Sequence, residues 1–324
     1  MFTSCKFNIW IITGLLAVTT VFFNAYMFSM SLLSFKQKKL CATDAIIMAL
    51  SVASVAHQLV CYFWMTTNVL DSMCLIFQMP YTGVLLLTFS LKLTITWDSS
   101  FLTLYYSTKL VSSPNHCYTQ IQAAILRHVT LAVCVIPLCS LGTCMPMFVV
   151  FNTANHTKVN KDCELLPPST YYGHVYVAIY LLLSDLLPGL LMAKCCISIS
   201  VHLIIHLRHM KASTNGAHCP KLGSQMRVVR MALSLVAIFT IFLVVDLYVH
   251  YQFAVNHKNT IVFMYLFTSA YTTVTAVVLI YGKKTLWKSL IHDFNPCLDE
   301  YPCLSCFKLP EQKAKHSTPA KNFK

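Results

Sequence analysis

Charge is what this sequence has least of. Lys, Arg, Asp and Glu make up 11% of its 324 residues, against roughly a quarter in an ordinary water-soluble domain. Only 11 residues are acidic, while 56% are hydrophobic and the mean hydropathy is +0.62. The expected solvent is therefore the bilayer and not water. Glycine is scarce as well, at 8 residues beside 12 prolines, which excludes collagen-like and low-complexity chains. Aromatics at 12% with so few acids exclude a disordered one. The chain also lacks a metal-ligand set, a nucleophile with its base and a phosphate-binding loop. It is not expected to be an enzyme or to carry a cofactor. His202, His206 and His209 lie close together, but no Cys or acid stands at matching spacing, so no metal is expected. A net charge of +13 would suggest nucleic acid in a soluble protein. Here its meaning depends on where the basic residues lie relative to the membrane.

What is present is a series of apolar runs, each long enough to cross roughly 30 Å of hydrocarbon. Seven can be drawn, over residues 7–35, 42–67, 76–106, 123–151, 171–207, 228–253 and 260–281. The third is the weakest, interrupted by Lys92 and Asp98. The first has an apolar stretch too long for a cleavable signal and no small-residue cleavage site after it, so it is expected to remain as a span. Of the 24 Lys and Arg, 18 fall in the loops after the first, third and fifth runs or in the tail. Lys6, Lys158, Lys161 and Lys258 lie on the other side, and Lys92 and Lys194 lie within runs. The positive-inside rule then places the tail in the cytoplasm and the amino terminus outside. A single sequon, Asn155-His156-Thr157, falls in the fourth-to-fifth connection, which the charges already place outside. Asn155 is thus a candidate glycosylation site.

The expected fold is an all-α membrane protein, a seven-transmembrane helix bundle like that of the G-protein-coupled receptors, with extracellular amino terminus and cytoplasmic carboxyl terminus. The bundle takes residues 1–282. An interfacial segment follows over 283–309, with Leu286, Trp287, Leu290, Ile291 and Phe294 at helical spacing on the inner leaflet. Residues 310–324 have the composition of a disordered end.

Five ionisable residues lie inside the runs: Lys92 and Asp98 in the third, Asp185 and Lys194 in the fifth, Asp246 in the sixth. A charge at the bilayer centre costs roughly 2.5–3.5 kcal/mol on insertion scales, so such residues turn towards the bundle interior. With the amino terminus outside, all five lie near mid-membrane or in the outer half. Two readings stay open: internal ion pairing that holds the helices together, or a cavity open to the outside that binds a polar or amine-bearing ligand, with Asp98, Asp185 and Asp246 as its acids.

No Asp-Arg-Tyr follows the third run and no Asn-Pro-x-x-Tyr ends the seventh, unlike the rhodopsin-type majority. Leu187-Pro188, Leu203, His206 and Met210 follow a Leu-Pro-Phe... Ser-Leu-x-x-His-x-x-x-Met pattern. Pro220 to Arg227, Arg230 and Ser234 match the loop entering the sixth span. Trp97, Leu102, Tyr106, Lys109 and Leu110 match a run in the third, and Leu279-Ile280-Tyr281-Gly282 ends the seventh. Together these resemble the bitter taste receptors, the type 2 taste receptor family. Departures stand at Ser54, where the family carries Arg, at Tyr271-Thr272 in place of Tyr-Pro, and at Thr275-Ala276 in place of His-Ser. The chain looks like a divergent member. The type 1 vomeronasal receptors share the short-loop design, and the intramembrane Lys and Asp set keeps a small transporter or channel as a further alternative, against which stand the odd number of runs and the absence of an internal repeat.

The resemblance implies an agonist cavity among the outer halves of the third, fifth, sixth and seventh helices. Trp97 would stand on its wall, with Phe101 one turn deeper, Phe242 from the sixth helix and Tyr265 from the seventh. Aromatic walls with few polar groups suit small, mostly apolar compounds, although plain helix packing would also place aromatics there. It further implies that Tyr106, Lys109, His206, Met210, Arg227 and Arg230 face a heterotrimeric G protein, gustducin-like or of the inhibitory class. The positive-inside rule and anionic lipid alone would also put basic residues there. The expected partners are thus a small-molecule agonist, a G protein and the lipid bilayer, with no nucleic acid.

The 15 cysteines show no repeated pairing, and those within spans read as small packing residues. Cys74 and Cys163 are the extracellular-loop cysteines and are candidates for a disulfide, which would depart from the family pattern. Cys297, Cys303 and Cys306 follow the amphipathic segment and are candidates for palmitoylation.

Overall fold

The computed structural model describes residues 2–36, 42–70, 80–111, 116–154, 171–213, 223–254 and 261–300. Apart from short turns these are helical. In chain order the helices are α1 Phe2–Lys36, α2 Ala42–Leu70, α3 Pro80–Leu110, α4 His116–Arg127, α5 Val129–Cys144, α6 Met147–Ala154, α7 Tyr171–Leu181, α8 Leu187–Ser213, α9 Gly223–Ala254, α10 Ile261–Gly282 and α11 Lys284–Glu300. A π-helical turn, Leu182–Leu186, links α7 to α8. Taking α4 to α6 as one rod and α7 to α8 as another gives seven rods and a terminal helix.

α1 packs against α2 and α10, α2 against α3, α3 against α5 and α8, α8 against α9, and α9 against α10, so the rods close on themselves. The amino-side end of the bundle is where α1 begins, and the tail-side end is where α10 gives way to α11. Among the described residues six helical stretches are long and apolar enough to cross a membrane, and α3 is not one of them. Its 31 residues still span about 46 Å at 1.5 Å per residue. The reason is position: from residue 88 to 108 no α3 side chain is exposed. A helix with so little exposed surface has little need of an apolar one. It instead carries Ser and Thr hydroxyls that bond back to its own carbonyls, as Thr94 does to Ser90, Ser100 to Thr96 and Thr103 to Ser99. The outer rods are the converse. Leu15, Val18, Leu138, Ile197, Ile241 and Val244 are all more than 60% exposed, the arrangement expected where lipid tails replace water.

Three sequence-based spans differ in detail. The third helix continues to Leu110, beyond residue 106, and residues 76–79 lie outside the described part. The fourth run is not one straight helix. It begins at His116, bends at His128 and breaks at Met145 and Pro146, where proline has no N–H for the ladder. The fifth run contains the π turn. α11 is amphipathic, with Leu286 buried, Trp287 and Leu290 against the core and Phe294 exposed.

Two main apolar clusters fill the bundle. The tail-side cluster holds Met27, Ile47, Leu102, Met231, Phe239, Phe242, Tyr271 and Leu279. The amino-side cluster holds Ile9, Trp64, Leu85, Phe89, Cys144, Tyr180, Val249 and Tyr265.

Candidate functional site: a buried charge cluster beside a helix bulge

The site is built on a defect that proline causes. Leu187 N–H donates to the Leu182 carbonyl, five residues back, which is the π pattern. In an α-helix that N–H would have served Leu183. The π partner of the Leu183 carbonyl would be the N–H of residue 188, but residue 188 is Pro and has none. The Leu183 carbonyl is therefore orphaned within its own helix, and an unpaired carbonyl out of reach of water is costly. Trp97 from α3 repairs it: its indole N–H donates to that carbonyl at 3.0 Å. Ser100, one turn on, donates to the Pro188 carbonyl at 3.2 Å. The bulge thereby docks on α3 at a set height.

Inside the bulge sits Asp185, fully buried, with the Ser184 hydroxyl donating to its Oδ2. Lys92 of α3 reaches across to it. The Lys92 ammonium lies 2.7 Å from Asp246 Oδ2 on α9 and 3.5 Å from Asp185 Oδ2. His250, one turn along α9, places Nδ1 3.2 Å from Asp246 Oδ2 and 2.9 Å from the Asp246 carbonyl. Two rings flank the ammonium, Tyr180 at 5.8 Å and Phe242 at 5.4 Å from their centroids, both within cation–π range. Tyr180 is held by its hydroxyl on the Phe89 carbonyl at 3.2 Å. Lys92, Asp185 and Asp246 are each at most 2% exposed. One oxygen of Asp185, Oδ1, has no hydrogen-bond partner among the described residues. The cluster ties the third, fifth and sixth rods together where the two apolar clusters meet, since Phe242 belongs to one and Tyr180 to the other.

The other residues singled out in the sequence lie around this centre in different ways. Asp98 is fully buried on α3, and neither carboxylate oxygen has a hydrogen-bond partner among the described residues. Lys194 is exposed, so the internal ion pairing has one lysine and not two. Phe242 stacks on Tyr271 at 4.7 Å, with Phe239 at their edge. Phe101 is half-buried against the tail-side cluster. Tyr265 is fully buried, edge-on to Trp64 at 4.7 Å in the amino-side cluster, against which Trp97 also packs. The structure thus gathers Asp185, Asp246 and Phe242 around Lys92, sets Trp97 on the neighbouring bulge, and leaves Tyr265 and Asp98 in other contacts. Sequence reasoning passed over His250 and Tyr180. His250 follows Asp246 by four residues, one helical turn, and that spacing could have found it. For Tyr180 no such signal exists, because its distance from Asp185 has meaning only once the π turn is known.

The comparisons bear on this bundle directly. The model of the taste receptor protein family (TAS2R) matches residues 1–294. The chain belongs to the taste receptor protein family. Among solved structures it is similar to the crystal structure of squid rhodopsin, with TM-score 0.72 and 11% identity, covering 98% of this chain and 93% of that one. That likeness shows the seven-helix receptor fold. No curated protein matches the chain. The molecule is therefore a G-protein-coupled receptor, a multi-pass plasma-membrane protein and not an enzyme. The vomeronasal and transporter readings fall away with the family match.

At the tail-side end of this taste receptor protein, Tyr106 is half-buried and edge-on to Tyr105 at 6.1 Å. Lys109 is exposed, its ammonium 6.0 Å from the Tyr105 ring. Arg227 stands 6.0 Å over the Tyr281 ring, its Nη1 buried with no partner among the described residues, and Arg230 is exposed. His206 and Met210 lie on α8, but their side chains fall outside the described residues, as does that of Cys297 on α11. Asn155, Cys74, Cys163, Cys303 and Cys306 lie outside them altogether.

Proposed function

We propose that this receptor is chemosensory and responds to small, bitter-type compounds that enter from the amino-side end. That end faces outside, and the tail-side end faces a G protein of the gustducin-like or inhibitory class. The single observation that carries this reading is the buried cluster of Lys92, Asp185, Asp246 and His250 between the third, fifth and sixth rods. Burying four ionisable groups is costly unless each is paired. A bundle that depends on such pairing has a ready two-state element: a ligand that competes for the pairs shifts the population of sixth-rod positions. Family membership supports the ligand class, with Trp97, Phe101, Phe242 and Tyr265 as aromatic wall and Asp98, Asp185 and Asp246 as polar contacts. Tyr106, Lys109, His206, Met210, Arg227 and Arg230 form the proposed G-protein face.

Co-expression with a chimeric G-protein α subunit and a calcium readout across a panel of bitter compounds tests the reading. A surface-expressed receptor that answers none of them rules it out. The orientation has its own test. Asn155→Gln should remove a glycan-dependent gel shift, and a connection between the fourth and fifth rods that proves cytoplasmic reverses the bundle.

A further inference from the structure

Two carboxylates, two aromatic faces and a low-dielectric surround are the parts of a site for an organic ammonium ion. Around Lys92 all of them are present: Asp246 at 2.7 Å, Asp185 at 3.5 Å, and the rings of Tyr180 and Phe242 at 5.8 and 5.4 Å. The occupant is the receptor's own side chain. Its acids also outnumber its lysine. Asp185 keeps Oδ1 without a hydrogen-bond partner among the described residues, and Ser184 and His250 supply the donors that the single ammonium cannot. A buried cluster built only to staple helices needs no surplus acceptor, whereas one that exchanges one ammonium for another does.

We infer that this cluster is a binding site for primary alkylammonium ligands, with Lys92 as a tethered occupant that a ligand amine displaces. The inference rests on the chemosensory reading and narrows its ligand class to amines at this site. The attachment of the ammonium to α3 is what matters mechanically. Lys92 bonded to Asp246 fastens α9 to α3, while a free amine on Asp246 satisfies that carboxylate without a tie to α3. Displaced from Asp246, the Lys92 ammonium keeps Asp185, whose Oδ1 is without a hydrogen-bond partner among the described residues, so both ammonium ions stay paired while α9 loses its tie to α3. Primary amines fit best, because Asp246 accepts a direct short hydrogen bond that a quaternary ammonium has no N–H to make.

The test is chemical rescue in the full-length receptor. Lys92→Ala removes a propylammonium-sized piece, and propylammonium chloride is the probe, with 1-propanol as its neutral counterpart. Thermal unfolding of the purified variant should shift upward with propylammonium, saturating with concentration, and 1-propanol should leave it unmoved. The wild-type receptor should need at least tenfold more propylammonium for the same shift, because Lys92 competes. Lys92→Ala combined with Asp185→Asn and Asp246→Asn should lose the response. Where Lys92→Ala fails to reach the cell surface, surface level in cells grown with propylammonium or 1-propanol becomes the readout, and only the amine should restore it. Equal effects of amine and alcohol, or no effect of the amine on either readout, overturn the inference. The chemosensory reading fails separately: amine rescue together with silence in the calcium assay removes it, while calcium responses to neutral compounds without amine rescue leave it standing and remove the ammonium site.

Discussion

The two ends of the bundle are held by different chemistry. In the tail-side half, apolar groups interlock: Phe239, Phe242 and Tyr271 form an aromatic knot, and Gly282 lets Met231 approach so closely that an added Cβ would collide with its Sδ. The amino-side half, from the level where the two apolar clusters meet, leans on polar groups that need specific partners, namely the Lys92 cluster and the Trp97 bond to the bulge. Apolar packing tolerates small slips, since its attraction is non-directional. A buried ion pair does not, because a lost partner leaves a bare charge. The proposed function, a ligand read at one end and helix movement at the other, draws on this division.

The largest break in that comparison should come from Asp246→Ala. It removes the acid closest to Lys92 and the partner of His250, and should cost about 3–5 kcal/mol, seen as a lower unfolding temperature and reduced surface level. Wild-type stability in that variant would mean the cluster does not bear on the fold. Gly282→Ala attacks the other end. The new methyl would meet Met231 Sδ, Cγ and Cβ, so α9 and α10 must part, at about 1–3 kcal/mol for overpacking. Ligand-independent signalling should rise, and an unchanged basal level would show that this seam does not move in activation.

Trp97→Phe keeps an aromatic ring but leaves the part-buried Leu183 carbonyl without its Trp97 donor, worth about 1–3 kcal/mol at most. Should agonist potency hold while the unfolding temperature falls, Trp97 is a positioning residue for the bulge. Should potency fall across several agonists at unchanged temperature, it stands on the cavity wall. The smallest effect is expected at the tail-side rim, where Lys283 pairs with Asp44. Asp44→Asn should cost less than Asp246→Ala, because Asp44 is buried but the Lys283 side chain retains 18% exposure and can turn to water when its partner's charge is lost. A loss as large as that of Asp246→Ala would erase the distinction between the ends.

Much of the bundle was legible without coordinates. The apolar runs place all seven rods, since lipid imposes about 20 apolar residues on any helix that faces it. The weakest of the runs was the third, and the structure explains why: α3 is enclosed, so its composition answers to neighbouring helices. The acids Asp185 and Asp246 stand out in the sequence as charges within spans, and Trp97 and Leu187-Pro188 carry part of the family resemblance. Their connection was not visible. It depends on a π turn in which Leu187 bonds five residues back, a choice that no local composition announces. Asp98 shows the same limit from the other side. It looked equivalent to Asp246 in the sequence, yet only Asp246 lies opposite a lysine.

The sequence by itself determined that this chain is a helical membrane protein. It also carried the signature that makes it a taste receptor protein, matched over residues 1–294. Those properties are set by hydrophobicity and by residues at fixed spacing along one chain. Only the tertiary structure decided which buried charges pair, that Lys194 stays outside the pairing, and that Trp97 serves a carbonyl on another helix. Each of these is a match between two rods, settled by how helices rotate and slide until buried donors meet acceptors, and a one-dimensional pattern holds no record of that fit.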